Sequence, residues 1–207
     1  MNLLSKSLFK SSRTICVGLA IAATMMVSGC ASHYVDTALK DVPVAKIKKI
    51  DNPQPVQLLF EFQSKGATSS AATNQLKAQV TEIVKKSGYF SQVETTPVSN
   101  GAILSIVINN VPLTEDAASQ GFVTGLTFGL AGSTVTDGYI CKLDYIPSAS
   151  DTKISKTVRH AIHTTLGSAG APPNAGKPVS IQEAVETMVR QIVSNGLNDI
   201  ASDPSFK

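Results

Sequence analysis

The chain has 207 residues, with 18 Lys or Arg against 15 Asp or Glu and three histidines. Its whole positive excess, Lys6, Lys10 and Arg13, lies in the first 29 residues, so the remainder is charge-balanced and offers no basic face for gripping nucleic acid. Cys16 lies in that leading stretch and Cys30 directly follows it as the residue that the exit motif described below would modify, which leaves Cys141 with no partner for an intramolecular disulfide.

After the three cations comes an apolar run, Ile15 to Val27, interrupted only by Thr24. A spanning helix needs about 20 such residues; this shorter run suits the core of a signal peptide. It exits through Val27-Ser28-Gly29-Cys30, where two small residues fit an extended protease groove and a thiol follows that can be alkylated. The stretch resembles the lipobox of bacterial lipoproteins. That resemblance implies cleavage between Gly29 and Cys30, diacylation of the Cys30 sulfur, and a membrane anchor. Each buried methylene contributes about 0.8 kcal/mol, and two chains hold stably where one binds reversibly. Ala31 stands where an Asp would mark inner-membrane retention, so the resemblance implies a lipid-anchored place in the outer membrane, on its periplasmic face, with the inner membrane as the alternative.

Residues 30–54 read as the lipidated N-terminus and a tether, or a poorly packed loop, closed by Asp51-Asn52-Pro53-Gln54-Pro55. A single domain is expected over 55–201. Val56, Leu58, Phe60 and Phe62 alternate with more polar neighbours and predict a strand ending at Lys65-Gly66. Leu76, Val80, Ile83 and Val84 recur at helical spacing from about Ala71 to Ser87, with Gly88 as a stop. A short strand is expected near Gln92 to Thr95 and a longer one from Ala102 to Asn109. Thr134 to Ile146 and Lys153 to Leu166 predict a hairpin pair, with Ile154, Val158, Ile162 and Leu166 on one parity. Residues 172–178 read as a loop. Ser180 with Glu183 forms a capping box for a C-terminal helix whose apolar stripe is Ile181, Val185, Met188, Ile192 and Ile200. Residues 202–207 read as a tail. The assembled expectation is an α+β fold: a mostly antiparallel sheet with two helices on one face, plus a glycine-rich apolar insertion.

That insertion is uncharged and interleaves Gly121, Gly125 and Gly129 with Phe122, Val123, Leu126, Phe128 and Leu130. Three placements compete for it: a loop or hairpin against the sheet, a membrane-facing segment, and a contact with another protein. Its glycines lack the spacing and the lysine of a phosphate cradle.

Catalytic and metal chemistry find little footing. His160 and His163 are three apart on a predicted strand and so point to opposite sides, with Cys141 and Asp144 the nearest candidates to complete a metal site. No Gly-x-Ser-x-Gly pattern occurs, and the scattered carboxylates cannot be paired. No cofactor, metal or catalytic residue is therefore expected. The domain also resembles the amino-terminal domain of the Tol-Pal protein TolB and related curli or exopolysaccharide secretion lipoproteins. The likeness rests on Val56 to Phe62, the helix ending Ser87-Gly88-Tyr89-Phe90, and the strands that follow. The expected role is a non-enzymatic envelope component that binds an envelope protein or itself; the alternative is binding of a small molecule, lipid or glycan.

Overall fold

The computed structural model describes residues 31–43, 46–113, 134–148, 152–167 and 170–206. The chain divides into Met1–Ala31 and Ser32–Lys207, and the fold is that of the second unit. Cys30 and the whole of the 121–132 insertion lie outside the described residues.

The elements in chain order are β1 (Ala31–Asp36), β2 (Val56–Ser64), β3 (Ala67–Thr68), α1 (Ser70–Lys86), β4 (Val93–Glu94), β5 (Ala102–Pro112), β6 (Thr134–Ile146), β7 (Ile154–Leu166), β8 (Ala175–Val179) and α2 (Ile181–Ala201). All strands join one sheet in the order β3-β2-β5-β6-β7-β1-β8, with β4 on β2. The β2–β5 and β2–β4 pairings are parallel; β2–β3, β5–β6, β6–β7 and β1–β8 are antiparallel. Both helices pack on one face, as the two-period reading of the sequence anticipates.

Alternation decides which face is covered. Val56 and Leu58 on β2, Leu104, Ile106 and Ile108 on β5, Cys141, Leu143 and Tyr145 on β6, and Val158 and Ile162 on β7 are buried under the helices. From α1 come Leu76, Val80 and Val84; from α2, Met188, Ile192, Leu197 and Ile200. The caps follow local chemistry. Ser69 Oγ accepts the Ala72 N–H, Ser180 Oγ accepts the Glu183 N–H at 3.1 Å, and Gly88 takes the left-handed φ of +72° that ends the first helix.

Three expectations change. Part of the expected tether is β1, a strand held between β7 and β8, and three further residues of it reach α2: Lys48 Nζ donates to the Ala201 carbonyl, Asn195 Nδ2 to that of Lys40, and Arg190 pairs with Asp41. The last four residues of the expected 172–178 loop belong to β8. Gly176, Lys177 and Pro178 give it no strand signature, but an edge strand needs hydrogen bonds on one side only and tolerates proline. The expected tail returns to the core, where Phe206 is buried with its ring 4.9 Å from Tyr145 and edge-on to Tyr89 and Phe90.

Gly196 sets how closely α2 approaches the sheet. A Cβ there would lie 2.2 Å from Leu143 Cδ1 and 3.0 Å from its Cδ2, inside a fully buried contact. Alanine normally stabilises a helix relative to glycine by about 1 kcal/mol. Here the overlap wins: Gly196→Ala is expected to lower stability by about 1–3 kcal/mol in urea denaturation.

Candidate functional site

The histidines and the carboxylate that they meet lie on β7 and its neighbours. His160 and His163 face opposite sides of the sheet, as their spacing requires, and both are fully buried. His163 Nε2 lies 3.0 Å from Asp36 Oδ2 on β1, and its Nδ1 lies 2.9 Å from Thr136 Oγ1 on β6. The second Asp36 oxygen accepts the Ala38 N–H at 2.7 Å. An imidazole donating Nε2–H to that carboxylate leaves Nδ1 to accept the threonine hydroxyl, and every partner in the array is then satisfied.

Hydroxyl, imidazole and carboxylate in this order are the parts of an acyl-transfer triad. The surroundings assign them other work. The side chains of Asp36 and His163 are both 0% exposed, and none of the three residues lines either of the grooves described below. The array fastens three strands: β1 to β7 through Asp36, and β7 to β6 through Thr136. His33 adds a second tie, with Nδ1 3.0 Å from Thr164 Oγ1. Sequence reasoning missed Asp36 because it sat in a segment taken for tether, and missed Thr136 because its role depends on register.

On the helix face, His160 Nε2 is 2.7 Å from Gln191 Oε1, and its Nδ1 accepts the Ala161 N–H at 2.9 Å. Both bonds fit the neutral ring, and burial holds the imidazole below its ordinary value, opposed by the Gln191 bond and the Asp36 charge and aided by His163. Cys141 is completely buried on the same face, and burial pushes its thiol up, so it packs as a small hydrophobe. Asp144, on the opposite face, accepts from Ser155 Oγ and meets Lys142 and Lys153. Among the described residues no three His, Cys, Asp or Glu side chains gather where they could hold a metal.

Two grooves flank α2. One, of about 280 Å³, lies among Asp41, Ile47, Ile83, Tyr89 and Arg190. The larger, of about 720 Å³, runs between the first turns of α1 and α2, over Phe62, Leu76, Tyr139, Ile181 and Val185, with Gln75, Gln79, Gln182 and Glu186 on its rim. Ile181, expected in the core stripe, is 50% exposed there, because the stripe meets the sheet only from Ala184 onward. Among the described residues no helix is long and apolar enough to cross a membrane.

Two outcomes follow from these buried groups. Asp36→Ala leaves His163 without its acceptor and is expected to cost on the order of 3 kcal/mol in denaturation, with β1 losing hydrogen-exchange protection before β5 and β6 do. The sign for His160 comes from its lowered value. The unfolded chain takes up a proton near pH 6.5 while the folded chain does not, so stability is complete above that pH and falls as the pH drops below it. The urea midpoint is expected to fall between about pH 7.5 and about pH 5.5, and less steeply in His160→Gln.

No protein-family model matches the chain, and no curated protein matches it. Solved structures do. The PelC dodecamer from Paraburkholderia phytofirmans matches at 11% identity and a TM-score of 0.34, over 80% of this chain and 96% of that one. Rare lipoprotein B from Shewanella oneidensis matches at 12% and 0.33, over 70% and 94%. A minor lipoprotein from Acinetobacter baumannii matches at 12% and 0.30, over 69% and 86%. Likenesses of this size carry no argument about what the present chain does.

Proposed function

We propose that the mature protein is an envelope lipoprotein, held in the membrane by acyl chains on Cys30, that works without catalysis by binding an envelope protein or a second copy of itself. The anchor rests on the cations, apolar run and Val27-Ser28-Gly29-Cys30 exit of the sequence. The binding role rests on the sheet face that carries no helix among the described residues. There Ile103 on β5 lies opposite Ile146 on β6 and diagonal to Leu59 on β2, with Leu59 44% and Ile103 36% exposed. Exposed apolar side chains gathered on one sheet face mark an interaction surface more often than isolated ones do. The glycine-rich residues Gly121 to Leu130 are a further candidate contact. The outer membrane is the proposed location, from the resemblance at Ala31.

A photo-crosslinker at Ile103, in the full chain in its native membranes, is expected to give a discrete adduct that Leu59→Ser weakens. Recovery of monomer alone, under conditions that capture a control complex, would count against binding through this face. The larger groove favours a second reading, capture of a lipid or other small apolar molecule, because apolar side chains form its floor and polar ones its rim. Native mass spectrometry of the detergent-extracted protein separates the two: a co-purifying small molecule lost on Leu76→Glu supports the second.

A further inference from the structure

We propose that one end of the sheet is a bilayer-contacting surface, formed by Val135, Leu166 and Ile181 around the point where the chain enters the fold. This inference rests on the reading of Cys30 as the lipid anchor.

The topology gathers the relevant ends. The pair Thr134↔Thr165 sets the start of β6 beside the end of β7, His33 on β1 touches Thr164, and His33 also pairs with Val179 at the end of β8, just before α2 begins. The start of β1, the end of β7, the start of β6 and the first turn of α2 therefore share one rim. Among the described residues the three most exposed large hydrophobic side chains are Val135 at 56%, Leu166 at 51% and Ile181 at 50%, and all three stand on that rim. They come from three different elements, so no single amphipathic pattern in the sequence foretells them. The larger groove opens beside them through Ile181 and Val185.

Chain length supplies the occupant. His33 is fixed by Thr164 and Val179, and only Ala31 and Ser32 lie between it and Cys30. Three residue steps of fully extended chain cover roughly 11 Å at most. Acyl chains on Cys30 therefore hold this rim at the interface and leave the domain no spacer with which to stand off. Burying exposed apolar side chains in the outer part of the bilayer is favourable, whereas the same side chains turned to water are not. The acidic groups of the first turns of α2, Glu183 and Glu186, with Asp137 on β6, limit penetration to the side chains themselves. The face bearing Ile103 and Ile146 has that pair at the opposite end of β5 and β6, away from the membrane and free for a partner.

The test uses the acylated, processed protein, purified from membranes and reconstituted in phosphatidylcholine–phosphatidylethanolamine vesicles. Single cysteines at Val135, Leu166 or Ile181, and at Ile103 and Lys85 as controls, carry a fluorescent label; buried Cys141 does not react. Quenching by nitroxide lipids at the three rim positions, several-fold above the controls, with matching protection from aqueous iodide, is the expected result. Equal iodide access at all five positions on a protein whose Cys30 carries acyl chains would overturn the inference and leave the anchor standing. Protection from iodide without quenching by lipid would assign the rim to a second copy and also overturn it. An unmodified Cys30 by mass spectrometry would remove both the anchor and the inference.

Discussion

The structure depends on how β1 is fastened. A strand that follows Cys30 almost directly is held on both sides, by β8 through backbone pairing and by β7 through the Asp36–His163 and His33–Thr164 contacts. A buried carboxylate and imidazole satisfy each other at the expense of any alternative register, because a slip of one residue would strand both in the interior. The described sheet therefore begins at the residue that follows the proposed anchor. Under the lipoprotein reading, attachment at the N-terminus also sets the orientation of the whole sheet.

The same economy of polar groups accounts for the chemistry. His160, His163 and Cys141 are groups whose types first suggest a reactive site, and each is enclosed, as is the Asp36 that the fold brings to His163. His163 and Asp36 tie strands, His160 ties the sheet to α2 through Gln191, and Cys141 fills space under the helices. Apart from Ile47, the exposed large hydrophobic side chains among the described residues fall into two groups: Leu59 and Ile103 on the face opposite the helices, and Val135, Leu166 and Ile181 on the rim beside β1. Two apolar regions at opposite ends of the central strands fit a protein that meets a membrane with one and a partner with the other.

Much of the fold was legible in the sequence, because β2, β5, β6 and β7 are long enough to show alternation and α1 and α2 long enough to show helical spacing with caps. The missing parts have particular causes. β1 is six residues long, directly follows the apolar run and its exit, and carries the mixed sequence Ala-Ser-His-Tyr-Val-Asp, and β8 carries glycine, lysine and proline, so neither shows a pattern that outweighs its surroundings. Phe206 looked like part of a tail because its partners Tyr89, Phe90 and Tyr145 are remote in sequence. The Asp36–His163–Thr136 array needs the register of three strands before its members can be seen together. Ile181 continues the stripe of α2 by spacing alone, and only the packing shows that its first turn overhangs the sheet. Gly121 to Leu130 and Cys30 fall outside the described residues, so their roles stand on sequence and on the geometry of what adjoins them.

Native-state hydrogen exchange of the acylated protein, read at residues 32–36, tests the central claim most directly. The account predicts that these amides exchange as slowly as those of β6 and β7, since β1 is an interior strand of the sheet. Exchange at the rate of an unstructured linker would contradict it, because the anchor would then be joined to the domain by slack chain and would no longer orient the sheet.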